Sequence, residues 1–468
     1  MEKTLGSIFS RDTRWALAGL VGFGALIRLI LFFEYPPFSD FADTEAFIVL
    51  ARQIASLDLS QYDGGSSGGR TPIYPLLILL GGMNAHGVFF LQALLGIVAS
   101  VLLFLTALSF KRNYTLAILV GLAPTVFLNQ LFMEACVMSE HIAGVLAVAS
   151  LYVGVTILMR GGGTGRTVVL GLLVAATVLA RPGYIALVPV YAVAAFLQAQ
   201  QARFARTGIY LAAACLPIAG WMAIMAATVG IFTISPRTGV HLMNHSGAFI
   251  EYADPRYATI RDVYLHHRSL KKDRGKNVVT VLDYLETVSW SGGNINVIFE
   301  AADDLKAATG LSAVELSREL QKLSLDLFWR YPDLYAKSVF KAWLSYWTAT
   351  IVWEPDALRS PLASALVAVW RVERPLIWLA NLTLLLAVTG LLLRVAASAV
   401  RGRFSAIVED RRLLALLLVG GSVFWFAIFQ ALVEYGENGR YSIPTQQMVV
   451  AFVAFYVSWL IDQRRAVR

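Results

Sequence analysis

Apolar residues in this chain come in long unbroken runs rather than in alternation. Runs close to the twenty residues that carry a helix across a bilayer lie near Trp15–Phe33, Gly87–Leu108, Tyr114–Phe132, Cys136–Leu158, Gly208–Gly230, Leu376–Leu393, Leu413–Val433 and Ile443–Ile461. Two shorter runs, Thr167–Ala180 and Tyr184–Leu197, meet at the sequence RPGY and read as a tight hairpin. Lipid offers no water to backbone polar groups, so spanning segments must be helices or closed barrels. Barrel strands alternate outward and inward residues, and these runs do not alternate. The pattern predicts an all-α polytopic membrane protein with about ten transmembrane helices.

The polar stretches subdivide the chain. After the first run come the acidic stretch FSDFADTEAF and the glycine-serine stretch DGGSSGG. Next is RTPIYPLLILL, whose prolines and short apolar run predict a helix at the membrane interface. A long polar region, Ile231 to Tyr335, predicts an extracytoplasmic loop. Within it, Ser312 and Glu315 match a capping box, and Leu316, Leu320 and Leu323 form a stripe at helical spacing. The aromatic and lysine-bearing stretch RYPDLYAKSVFKAWLSYW predicts a second interfacial helix. Three regions result: 1–230, an N-terminal transmembrane module; 231–375, the loop with its interfacial helices; and 376–468, the C-terminal transmembrane helices.

Composition agrees. Of 468 residues 57% are hydrophobic and 15% charged, against about 25% charged in soluble domains. The formal net charge of +8 reads as topology and not as a nucleic-acid footprint. Arg11 and Arg14, Lys111 and Arg112, Arg160 and Arg166, Arg203 and Arg206, Arg394 to Arg412, and Arg464 to Arg468 all fall on one side. That side is assigned to the cytoplasm. The first run is expected to be a retained span and not a signal peptide. With Cys136 and Cys215 as the two cysteines, a disulfide framework is not expected. GGGTG after Arg160 lacks the lysine of a phosphate loop, and GGSSG lacks the strand-turn-helix setting of a nucleophile elbow. His241, His245, His266 and His267 have no carboxylate motif beside them. Asn244 to Ser246 forms a glycosylation sequon.

The acidic stretch raises the chemical question, because Asp40, Asp43 and Glu45 stand beside a membrane boundary. Around it lies an ordered set. Arg28 sits in the first run; Phe47 and Ala51 follow Asp43 at four and eight positions; then come GRTPIYPLL, MSEH, LARPGY and GRYSIPTQQ. This set resembles the GT-C glycosyltransferases that take sugars from polyprenyl phosphates. Within them it is most similar to the protein-mannosyltransferase and lipid A aminoarabinose-transferase group. The resemblance covers most of the chain and covers the long loop least.

The resemblance implies a GT-C type fold, and Asp43 as catalytic base with Asp40 as the second choice. It departs from the family at Thr44, where a second acid is common, and at Phe47, where tyrosine is usual. A polyprenyl phosphate is already a competent leaving group. The chemistry therefore needs a carboxylate to take the acceptor hydroxyl's proton and fixed cations to hold the departing phosphate. Arg70, Arg181 and Arg440 are the candidate phosphate-binding cations. Glu140 is a further catalytic candidate and a candidate ligand for a divalent cation. Tyr74, Glu437 and Tyr441 are candidate groove residues. The function implied is inverting transfer of a sugar to a lipid, glycan or protein acceptor, outside the bacterial inner (plasma) membrane and among its lipids. Rival readings are a polymerase or ligase using polyprenyl-diphosphate glycans, and a transporter.

Overall fold

The computed structural model describes residues 10–38, 42–59, 62, 69–198, 202–274, 297–358 and 362–467. The chain begins with α1 (Arg11–Glu34), α2 (Ala42–Ala55), α3 (Ile73–Leu80), α4 (Ala85–Phe110), α5 (Tyr114–Val126), α6 (Leu128–Met133), α7 (Glu140–Arg160), α8 (Thr164–Ala180), α9 (Leu187–Gln198) and α10 (Arg203–Val229). A group of more polar helices follows: α11 (Thr238–Ser246), α12 (Ala258–Arg274), α13 (Val297–Glu300), α14 (Ala302–Thr309), α15 (Ala313–Arg330) and α16 (Pro332–Tyr346). The chain ends with α17 (Leu362–Val400), α18 (Phe404–Glu409), α19 (Arg411–Val433) and α20 (Asn438–Val467). No strand occurs among the described residues; the single bridge joins Phe38 to Cys136.

Seven of these helices, α1, α4, α7, α10, α17, α19 and α20, are long and apolar enough to cross a membrane. The protein is an all-α membrane protein. Three shorter apolar helices, Tyr114–Val126, Thr164–Ala180 and Pro182–Gln198, occupy the other expected positions. The expected run Tyr114–Phe132 is not one helix. It breaks at Phe127, whose backbone is extended, three residues after Pro124. The Leu128 N–H, freed by the break, donates to Glu373 Oε2 at 2.9 Å.

The expected division at 375 falls inside a helix. α17 runs through it unbroken for 39 residues, with Pro375 inside. Arg371, Glu373 and Arg374 lie within this helix. In the fold Glu373 is buried as the acceptor for α6, and the Arg374 guanidinium lies over the Trp378 ring at 5.1 Å.

Basic residues at several helix ends meet at one end of the bundle. Lys111 Nζ and Arg412 Nη1 both pair with Asp462, at 2.8 and 2.9 Å, and Arg411 Nη1 donates to the Met159 carbonyl at 3.1 Å. At the opposite end the polar helices pack around a core of their own. Leu316, Leu320 and Leu323 of α15 are buried there against Met243, Phe249, Tyr257 and Tyr264. The Ser312–Glu315 capping box starts α15 as expected, and Pro332 occupies the first turn of α16, where its missing N–H costs nothing. Asn244 is fully buried in this region, so its sequon is closed to a modifying enzyme. GGSSG lies outside the described residues.

One buried ion pair braces the bundle beneath the acidic loop. Arg28 Nε and Nη2 donate to the two oxygens of Glu134 at 2.8 and 2.6 Å, and Nη1 donates to Thr125 Oγ1 at 2.9 Å. Arg28 and Glu134 are 3% and 0% exposed, so each charge depends on its partner. Gly96 leaves the space: a Cβ there would overlap Glu134 Oε1 and crowd Arg28 Nη2. Gln92 Nε2 then donates to the carbonyls of Glu134 and Cys136 at 2.8 and 2.9 Å, holding the segment that leads into α7.

Removing one partner of this pair strands a buried charge, at a cost of about 3–5 kcal/mol. Arg28→Met is therefore expected to lower the melting temperature in detergent sharply, and Gly96→Ala to do the same by overlap alone. The Arg28→Met/Glu134→Leu pair should recover much of the loss. A double variant no more stable than the worse single one would show that the pair does not act as a unit.

Candidate active site

Five helix ends converge at the end of the bundle that faces the polar helices. Asp43 lies in the first turn of α2, and Arg70 precedes α3. Glu140 is the first residue of α7, Arg181 caps the end of α8, and Arg440 is in the first turn of α20. The residue before a proline is pushed out of the helical region. Arg181, followed by Pro182, is accordingly extended (φ −153°, ψ 114°), and α8 stops there.

The side chains meet as an alternating net of charge. Arg70 Nη2 pairs with Asp43 Oδ1. Arg440 Nη2 stands 3.6 Å from Asp43 Oδ2, its Nε 3.1 Å from Glu140 Oε1, and its Nη1 2.8 Å from Glu437 Oε2. Arg181 Nη1 reaches Glu140 Oε1 at 2.9 Å. Aromatic faces support the cations: Arg181 and Arg440 lie over the Tyr441 ring at 4.4 and 5.2 Å, and Arg70 over Phe47 at 4.8 Å. The Tyr441 hydroxyl donates to Glu434 Oε1 at 2.9 Å, and His241 Nδ1 stands 3.1 Å from the same oxygen. Gln430 Nε2 donates to Glu434 Oε2 at 3.2 Å.

Burial works against the charge on Asp43, but Arg70, Arg440 and Arg181 outweigh it and hold the carboxyl well below the usual carboxylate range. Burial also opposes the charge on Glu434, and His241, Arg181 and the Tyr441 hydroxyl overcome it, bringing its pKa down to about 2.

These groups border a cavity of about 1000 Å³. Part of its wall is charged and part apolar, with Ile185, Met222, Phe232, Phe299, Phe429 and Val433 on the apolar side. Phe232 and Phe299 are exposed, so the apolar side opens outward. Arg70 Nε and Glu140 Oε2 are buried without a hydrogen bond among the described residues, while Glu140 Oε1 lies against Arg181 and Arg440. The net thus keeps hydrogen-bonding capacity that a ligand can use.

Asp43, Arg70, Arg181, Arg440, Glu437 and Tyr441 all line this one cavity, and Glu140 lies buried against two of the arginines. Asp40 lies outside the described residues. Tyr74 does not belong to the groove. It is fully buried and packs edge-on against Phe47, which itself faces the cavity. The proline-bracketed α3 turns its aromatic inward because Leu77 and Ile78 share that buried face.

Thr44, at the position where a second acid was considered, is buried and donates to the Val137 carbonyl at 3.0 Å; it ties α2 to the entry of α7. Among the described residues no cluster of three or more His, Cys, Asp and Glu side chains could hold a metal ion. Asp43 and Glu140 each face two guanidinium groups, a donor set matched to an anion and not to a divalent cation. His241 and His245, one helical turn apart, go separate ways: His241 joins Glu434, and His245 is buried with Nδ1 2.8 Å from Ser338 Oγ. His241, Arg237 and Gln430 line the cavity and were not singled out as site residues. Only their place in turn-rich or boundary sequence marks them. Comparison of the chain with family models, curated proteins and solved structures returned no match.

Glu434 links this net to acid stability. Its carboxyl sits below its ordinary value of 4.5, so its contribution is complete above pH 4.5 and is lost as pH falls toward about 2. Melting curves in detergent are expected to fall more steeply between pH 4.5 and 2 for the wild type than for Glu434→Gln. At pH 7 the variant should melt lower. Parallel curves would show that Glu434 is not held by this net.

Proposed function

We propose that this protein is an inverting, GT-C type glycosyltransferase that moves a sugar from a polyprenyl-phosphate donor to a lipid, glycan or protein acceptor. The observation that carries this reading is the meeting of Asp43 with Arg70, Arg181 and Arg440 in one cavity that is charged on one wall and apolar on another. Those residues are scattered from position 43 to position 440, and the ordered motifs containing them are the ones that resemble the family. We place this cavity on the extracytoplasmic side of a bacterial inner membrane, with the three shorter apolar helices completing ten crossings. The basic ends at the opposite pole support that orientation.

The donor's phosphate enters among the guanidinium groups, whose planar forks suit phosphate oxygens, and its isoprenoid chain follows the apolar wall. In the free protein Arg70 and Arg440 hold Asp43. Incoming phosphate competes for them and releases the carboxylate, raising its basicity at the moment it is needed. The acceptor oxygen then attacks the anomeric carbon, and its proton passes to Asp43. The bond from that carbon to the phosphate oxygen breaks, and the phosphate leaves with the electron pair, its charge held by the arginines. A single displacement inverts the anomeric centre.

Asp43→Asn is expected to fold and bind donor while transfer falls by about 10²–10⁴-fold. Arg440→Gln should weaken donor binding and slow transfer together. Membranes from a strain lacking the protein, supplied with radiolabelled polyprenyl-monophosphate sugars, provide the assay. Undiminished transfer by Asp43→Asn would remove the base assignment. Activity confined to diphosphate-linked glycans would move the protein to the polymerase or ligase class.

A further inference from the structure

A second cavity opens at the far end of the bundle. It encloses about 440 Å³ between the end of α7, the end of α9, the start of α10 and the start of α19. Ser139, just ahead of α7, lines the first cavity, and Leu158, near the end of α7, lines the second. At about 1.5 Å of rise per residue, the 21 residues of α7 separate the two by roughly 30 Å, the thickness of a hydrocarbon core.

Its chemistry is one-sided. Arg206 and Arg411 line it, and among the described residues no aspartate or glutamate does. Arg206 Nη1 is buried and has no hydrogen-bond partner among the described residues, a costly condition for a charged donor. Arg411 commits Nη1 to the Met159 carbonyl at 3.1 Å. Asp410, the acid next to it in sequence, is occupied by the Leu413 N–H at 3.0 Å. Leu158, Leu197, Val408 and Leu414 supply an apolar part of the wall, beside Gln198, Gly161, Gly162 and Ala202. Two guanidinium groups beside an apolar wall at a membrane boundary match a phosphate ester that carries an acyl chain.

We propose that this cavity is a binding site for a phosphate ester, occupied by the headgroup of an anionic lipid from the leaflet opposite the candidate active site. Arg206 and Arg411 hold the phosphate, and the apolar wall receives the upper part of a chain. This site is independent of the glycosyl-transfer reading, because it shares none of that cavity's residues.

The full chain, purified in neutral detergent, is titrated with phosphatidylglycerol, phosphatidylcholine or inorganic phosphate. Thermal unfolding and native mass spectrometry report binding. Phosphatidylglycerol is expected to raise the melting temperature and to remain bound, and phosphatidylcholine to do neither. Arg206→Gln/Arg411→Gln should bind phosphatidylglycerol about tenfold more weakly, the loss expected for at least one charged hydrogen bond. Ala202→Trp fills the rim without changing charge and should weaken binding as well; it keeps the test alive where the arginine variant does not fold. An equal response to inorganic phosphate keeps the site and identifies its occupant as a soluble phosphate. Equal binding by the variants, an equal response to phosphatidylcholine, or no binding by wild type overturns the proposal.

Discussion

A guanidinium group cannot stand inside an apolar bundle without partners, and Arg440 is where this constraint organises the molecule. It meets Asp43, Glu140 and Glu437, which come from three different parts of the chain. Arg181 shares Glu140 with it, and Tyr441 lies beneath both. Moving any one of α2, α7, α8 or α20 would separate a charge from its partner, so the ion pairs help to hold the helix ends in mutual register. The same net is incompletely satisfied, as Arg70 Nε and Glu140 Oε2 show. Stability and readiness for a ligand thus arise from the same residues.

The polar helices close this arrangement from above. Their core is separate from that of the bundle, and α11 and α16 both make contact with it: His241 of α11 reaches Glu434 at the end of α19, and Tyr335 of α16 donates to the Leu432 carbonyl at 2.7 Å. Backbones come close within this group, since a Cβ at Gly239 would overlap the Ser317 carbonyl oxygen. A region that reads in sequence as a long loop is in the structure a packed helical unit with one wall of the cavity on its underside.

Much of the fold was legible because membrane helices announce themselves through length and continuity of apolar sequence. What could not be read were features set by distant partners. Arg28 was visibly anomalous in an apolar run, yet nothing nearby named Glu134. The break at Phe127 leaves the Leu128 N–H to Glu373, a residue far away in the chain. In the site, Arg181 and Arg440 stood out as charges beside apolar segments, and Asp43 as an acid at a boundary. Tyr74 lies buried behind Phe47, and an aromatic in an eight-residue helix carries no sign of which side is buried. Thr44 looked like a missing acid, and its hydroxyl turned out to tie two helices together.

The bridge between Phe38 and Cys136 bears on how such a site could change over evolutionary time. Phe38 N–H donates to the Ala135 carbonyl, and Val137 N–H to the Phe38 carbonyl, both at 2.9 Å. This stitch is made of peptide groups alone and lies just ahead of both Asp43 and Glu140. Substitutions at 38 or 136 that fit the space leave it intact, so the spacing of the two acids is inherited through the main chain.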